Sequence, residues 1–72
     1  MMFTVEEMNL IQAMDHTCRR MSIFDMKASI PNIEYAELKA LCERTLRKVS
    51  AMTDADFAAI DFTVYEEDEE NE

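Results

Sequence analysis

The sequence predicts an all-α protein: a small bundle of three main helices plus a short fourth, followed by a disordered acidic C-terminal tail. Three observations predict it. The 72-residue chain contains no glycine and one proline, Pro31, whereas β-sandwiches and barrels need positive-φ turn residues roughly every 8–12 positions. Apolar residues recur at three- and four-residue spacing in successive stretches. A helix-start signal, threonine followed three positions on by an acidic residue, occurs at Thr4–Glu7 and again at Thr53–Asp56. A chain this short forms one domain, expected over about residues 1–64, and buries only about 60 % of the surface its unfolded form exposes.

The first helix is expected over about 5–15. The Thr4 hydroxyl can accept the Glu7 amide while the Glu7 carboxylate reaches back, and Glu6 and Glu7 sit where a helix N-terminus favours negative charge. Val5, Met8, Ile11 and Met14 form its apolar stripe, with Leu10 beside them. The second helix, about 18–29, carries two neighbouring stripes, Met21–Phe24–Ala28 and Ile23–Met26–Ile30. That breadth suits a central helix. Pro31 biases Ile30 away from helical angles and ends the element.

Asn32 or the residues after it open a third helix, about 34–52. It places Leu38, Leu41, Cys42, Thr45, Val49 and Met52 on one face with Leu46 beside them. Glu34 and Glu37 fall near its start and Arg44, Arg47 and Lys48 near its end, an order that complements the helix dipole. Thr53 caps a short fourth helix, about 54–60, in which Phe57 and Ile60 lie one turn apart. Residues 61 to 65 alternate polar and apolar and read as an extended strap. Residues 65–72 form the tail.

The net charge of −9 is concentrated at one end, because six of the last seven residues are acidic. The other 65 residues carry ten acidic against seven basic side chains. Direct DNA binding is disfavoured, since it needs a concentrated basic face. The lack of glycine excludes a P-loop, a dinucleotide fingerprint and a nucleophile elbow, each of which needs bare backbone. No apolar run approaches the roughly 18 residues of a membrane span, and Glu6 and Glu7 interrupt any signal-peptide-like apolar stretch. Two cysteines are too few for a disulfide framework, so free thiols in a reducing cytoplasm are expected.

The densest chemistry lies in "DHTCRR", residues 15–20, which holds the one histidine, one of the two cysteines and two adjacent arginines. Structural zinc takes paired ligands, four in all. Here Cys18 and Cys42 lie 24 positions apart and His16 stands alone, so no metal or other cofactor is expected. Cysteine catalysis by Cys18 with His16 would need an orienting group and oxyanion donors in a pocket. A chain of this length has little room for one, and a non-enzymatic protein is expected. The stretch reads instead as an interhelical turn, with Asp15 and His16 closing the first helix and Thr17 capping the second.

Met8, Met14, Met26 and Met52 fall at core spacing, leaving Met21 as the methionine best placed for an exposed contact. Arg44, Arg47 and Lys48 can serve the dipole and intrahelical pairs such as Glu43–Arg47, or form a docking patch. The candidate interaction residues are therefore Arg19, Arg20, Met21, Arg44, Arg47 and Lys48.

The opening Thr-Val-Glu-Glu-Met-Asn-Leu-Ile, the single Pro31 connector, and "TLRKVSAMTDADFAAI" at 45–60 with an acidic end follow one another in a recognisable order. In that order the chain resembles the short transposon-transfer assisting proteins found on conjugative transposons of gut Firmicutes. The resemblance runs from Phe3 to about Asp61 and rests on order and spacing rather than on any one motif. It implies a small cytoplasmic helical protein that assists conjugative transfer, and it brings no catalytic or ligand residues to carry over. The function expected is that of an accessory protein binding another protein of the transfer apparatus. Two alternatives are a nucleic-acid-associated regulator using Arg19, Arg20, Lys27, Arg44, Arg47 and Lys48, and an acidic DNA mimic that depends on the tail.

Overall fold

The computed structural model describes residues 3–60, and all regular structure among them is helical. Helix α1 spans Val5–Ala13, α2 Arg19–Ser29, α3 Ala36–Ala51 and α4 Asp54–Ala58, with a 3₁₀ turn at Ile30–Asn32 between α2 and α3. The all-α fold with three main helices and a short fourth is the predicted one. The expected strap at 61–65 and the acidic tail lie outside the described residues, as do Met1 and Met2.

Each helix is shorter than expected, and local hydrogen bonds explain why. The α1 capping box forms as predicted, with the Glu7 amide donating to Thr4 Oγ1 at 3.1 Å and the Thr4 amide donating to Glu7 Oε1 at 2.8 Å. The helix stops at Ala13 rather than 15. Asp15 Oδ1 accepts both the Thr17 amide (3.1 Å) and the Thr17 hydroxyl (2.7 Å), a side-chain turn that competes with helical continuation. Thr17 does not cap α2; it lies one residue before the cap position, with its hydroxyl donating to Asp15. Cys18 takes the cap position in extended conformation without a side-chain cap bond, and α2 begins at Arg19.

At the other end of α2, Ile30 keeps helical angles (φ −52°, ψ −47°) despite Pro31. The chain tightens into the 3₁₀ turn, closed by the Ile33 amide on the Ile30 carbonyl at 3.2 Å, while Asn32 Nδ2 donates to the Ala28 carbonyl at 3.3 Å. Asn32 thus ends one element rather than opening the next. Residues 33–35 lie outside any helix, and α3 starts at Ala36 behind an extended Tyr35, which leaves Glu34 outside the helix. In α4 the Thr53 hydroxyl accepts the Asp56 amide at 3.0 Å, as the start signal predicts.

The core is Phe3, Met8, Ile11, Met26, Cys42, Val49, Met52 and Phe57, with Leu10, Met14, Ile23, Ile30, Ile33, Leu46 and Ile60 packed around it. Helix α3 packs against α1 and most extensively against α2, so α3 rather than α2 is the element the other two share. Helix α4 closes on α2. The α1 stripe is trimmed at Val5, which is 50 % exposed. At 100° per residue Val5 points about 90° away from the midpoint of Met8 and Ile11. No described residue has positive φ, so every turn is made within the ordinary right-handed and extended regions.

Candidate interaction surface

Six residues were candidates for recognition, and the structure divides them into those bound inside the protein and those facing outward. Glu7 decides the first group. Its side chain is fully buried beneath α3, where Lys48 Nζ lies 2.7 Å from Oε1 and Arg44 Nε lies 2.9 Å from Oε2. Arg44 and Lys48 stand one turn apart on α3 and converge on the one carboxylate. Burial pushes the Glu7 carboxyl up. The Lys48 ammonium, the Thr4 amide and the Arg44 guanidinium together outweigh it and bring the group down to about 2. Lys48 also lies 5.8 Å from the centroid of the Phe3 ring, within cation–π range.

Arg19 is committed as well. Its Nε donates to Asp54 Oδ1 at 2.7 Å, and Nη1 reaches the Val49 and Ser50 carbonyls at 3.4 Å. One guanidinium therefore covers the carbonyl end of α3 and ties the start of α2 to the start of α4. Arg47 is exposed beside a shallow depression lined by Ile30, Glu43, Leu46 and Ser50. Among the described residues no ion pair joins it to Glu43.

Residues 15–18 of the "DHTCRR" stretch form a turn held by local hydrogen bonds. Beyond the Asp15–Thr17 bonds, the Asp15 amide donates to Asp25 Oδ2 at 2.9 Å, and His16 Nδ1 lies 3.0 Å from the Met14 carbonyl. The Thr17 hydroxyl and amide hold the Asp15 carboxyl below its ordinary value. Cys18 is exposed while Cys42 is buried, with its sulfur 3.9 Å from the Met26 carbonyl. Burial pushes the Cys42 thiol up, and the nearby Glu43 and Asp25 carboxylates add to this. The turn faces α4 across a cleft of about 370 Å³ lined on one side by His16, Thr17, Cys18 and Arg19 and on the other by Asp54, Phe57, Ala58 and Ile60.

The other two outward candidates, Arg20 and Met21, lie on α2. Arg20, Phe24 and Lys27 follow one another at i, i+4 and i+7, and Met21 and Ala28 lie alongside. All five are exposed, Phe24 at 67 % and Met21 at 39 %. Among the described residues no carboxylate pairs with Arg20 or Lys27. The neighbouring acid on this helix, Asp25, is half-buried and occupied by the Asp15 amide. In a protein of net charge −9 this is a basic and apolar strip without exposed acid.

A family model described as "Putative transposon-transfer assisting protein" matches residues 3–64. The chain belongs to this family. The match takes in all four helices, and the family name gives the chain a role in assisting transposon transfer. Neither a curated protein nor a solved structure matches it. Among the described residues of this family member, no helix is long and apolar enough to cross a membrane, and no three His, Cys, Asp or Glu side chains come together as a metal site would need.

Sequence reasoning missed two things here. Glu7 was legible as a capping residue but not as the anion of a buried cluster, because its partners lie 37 and 41 positions away. Phe24 was assigned to a core stripe. The signal against that was available: the apolar residues of α2 cover more of its circumference than one-sided packing can bury, so one stripe had to stay outside.

Proposed function

We propose that this transposon-transfer assisting protein works in the cytoplasm as a non-enzymatic adaptor, using the outer face of α2 to bind another protein of the conjugative-transfer apparatus. The observation that supports this most is the exposed Phe24, set between Arg20 and Lys27 with Met21 beside it. An exposed aromatic between cations has the composition of an interface anchor. Arg19, Arg44 and Lys48 are each paired with a carboxylate of the chain itself, which weakens the nucleic-acid reading that would have used them.

The test is conjugative transfer in a cell carrying a tagged copy, read together with the transfer proteins that co-purify. Phe24→Ser is expected to reduce both at least tenfold while the thermal transition of the purified protein stays within a few degrees. Undiminished transfer and co-purification by a folded Phe24→Ser protein would defeat the proposal.

A further inference from the structure

We infer that the chain's own acidic C-terminal segment, residues 66–72, occupies the outer face of α2 until a transfer protein displaces it. This rests on the reading of that face as the docking surface, and it identifies the chemistry the face selects. Two observations carry it.

The first is charge. The strip presents Arg20 and Lys27 without an exposed acid of its own, and residues 66–72 supply six carboxylates. The second is position. Ile60, the last described residue, lines the same cleft as Cys18 and Arg19, so the chain leaves α4 beside the first turn of α2. From there to Glu66 is six residues, a reach of about 20 Å. Arg20 lies within that reach, and Lys27 is only about 10 Å further along the helix axis.

Tethering makes a weak contact sufficient. A connection this short holds the segment at an effective concentration on the order of millimolar, which an unlinked peptide would have to match. A competing partner must then be acidic itself, and must bind more tightly than the tethered segment to displace it. The tail in this arrangement sets a threshold against weak acidic ligands.

The contact is tested by NMR on the full-length chain, comparing it with a variant in which the carboxylates of 66–72 are replaced by amides (Glu→Gln, Asp68→Asn). The expected result is a change in amide shifts at Arg20, Met21, Phe24 and Lys27, abolished in 0.5 M NaCl and absent from an R20E/K27E background. Changes confined to residues 60–65, changes centred on Arg44 and Arg47, or none at all overturn it. A change that grows with protein concentration also overturns it, by showing the tail of a second copy on the face. No transfer protein enters this measurement. A silent tail combined with loss of co-purification by Phe24→Ser removes the tail contact and leaves the docking surface standing.

Discussion

A single carboxylate, Glu7, takes part in three separate structural tasks. It closes the α1 capping box through the Thr4 amide, and it forms ion pairs with both Arg44 and Lys48 of α3. Breaking a fully buried ion pair costs about 3–5 kcal/mol. The side chains of Arg44 and Lys48 are 49 % and 28 % exposed and can turn toward water, so Glu7→Gln is expected to cost less, about 1–3 kcal/mol, measured by urea unfolding near neutral pH. The same residue sets an acid limb. Its folded-state value of about 2 lies below the ordinary 4.5, so its contribution is complete above about pH 4.5 and is lost as pH falls toward 2. Wild-type stability should drop through that window, and Glu7→Gln should flatten the drop.

The two thiols give a second residue-scale prediction. Cys18 is exposed and Cys42 buried with its thiol pushed up. A thiol reagent should therefore modify Cys18 readily in the native protein and Cys42 only at the rate of unfolding.

At the scale of the element, α2 presents two faces with opposite consequences. Met26 is fully buried, and Met26→Ala should cost about 2–5 kcal/mol through lost packing and the cavity left behind. Phe24→Ser, on the far side, should stay within about 0.5 kcal/mol of wild type in the same denaturation experiment. Periodicity found both stripes of this helix but ranked them equally. A helix records which positions share a face, while the choice of the face to bury belongs to the neighbours, here α3 and α4. The capping box at Thr4 and the Thr53 cap were legible because all their parts lie within four residues. The end of α1 was not, since the Asp15–Thr17 turn and helical continuation compete closely, and the Asp25 bond to the Asp15 amide comes from ten residues away. The Glu7 cluster was hidden for the same reason at longer range.

At the scale of the molecule, the long helices share one core, and α4 is joined to it by Phe57 and by Arg19. The Asp54 side chain of that tie is 84 % exposed, and exposed pairs contribute about 0–1 kcal/mol. Arg19→Ala should hardly move the global unfolding transition. It should instead raise hydrogen exchange of the α4 amides selectively, as a local opening below the global free energy. Equal slowing or speeding of exchange across α1, α3 and α4 would show that the helix unfolds only with the whole.

The absence of positive-φ residues among the described positions also makes the protein an unusually clean subject for systematic truncation. Every position from Phe3 to Ile60 already carries a Cβ, so replacing it with alanine disturbs no backbone conformation that only glycine tolerates. Pro31, whose ring restricts its own backbone, is the exception. A full alanine scan of the helices and turns would then read out side-chain contributions together with each residue's helix propensity. The turns, which in most small proteins confound such a scan through their glycines, would be measured on the same footing as the core.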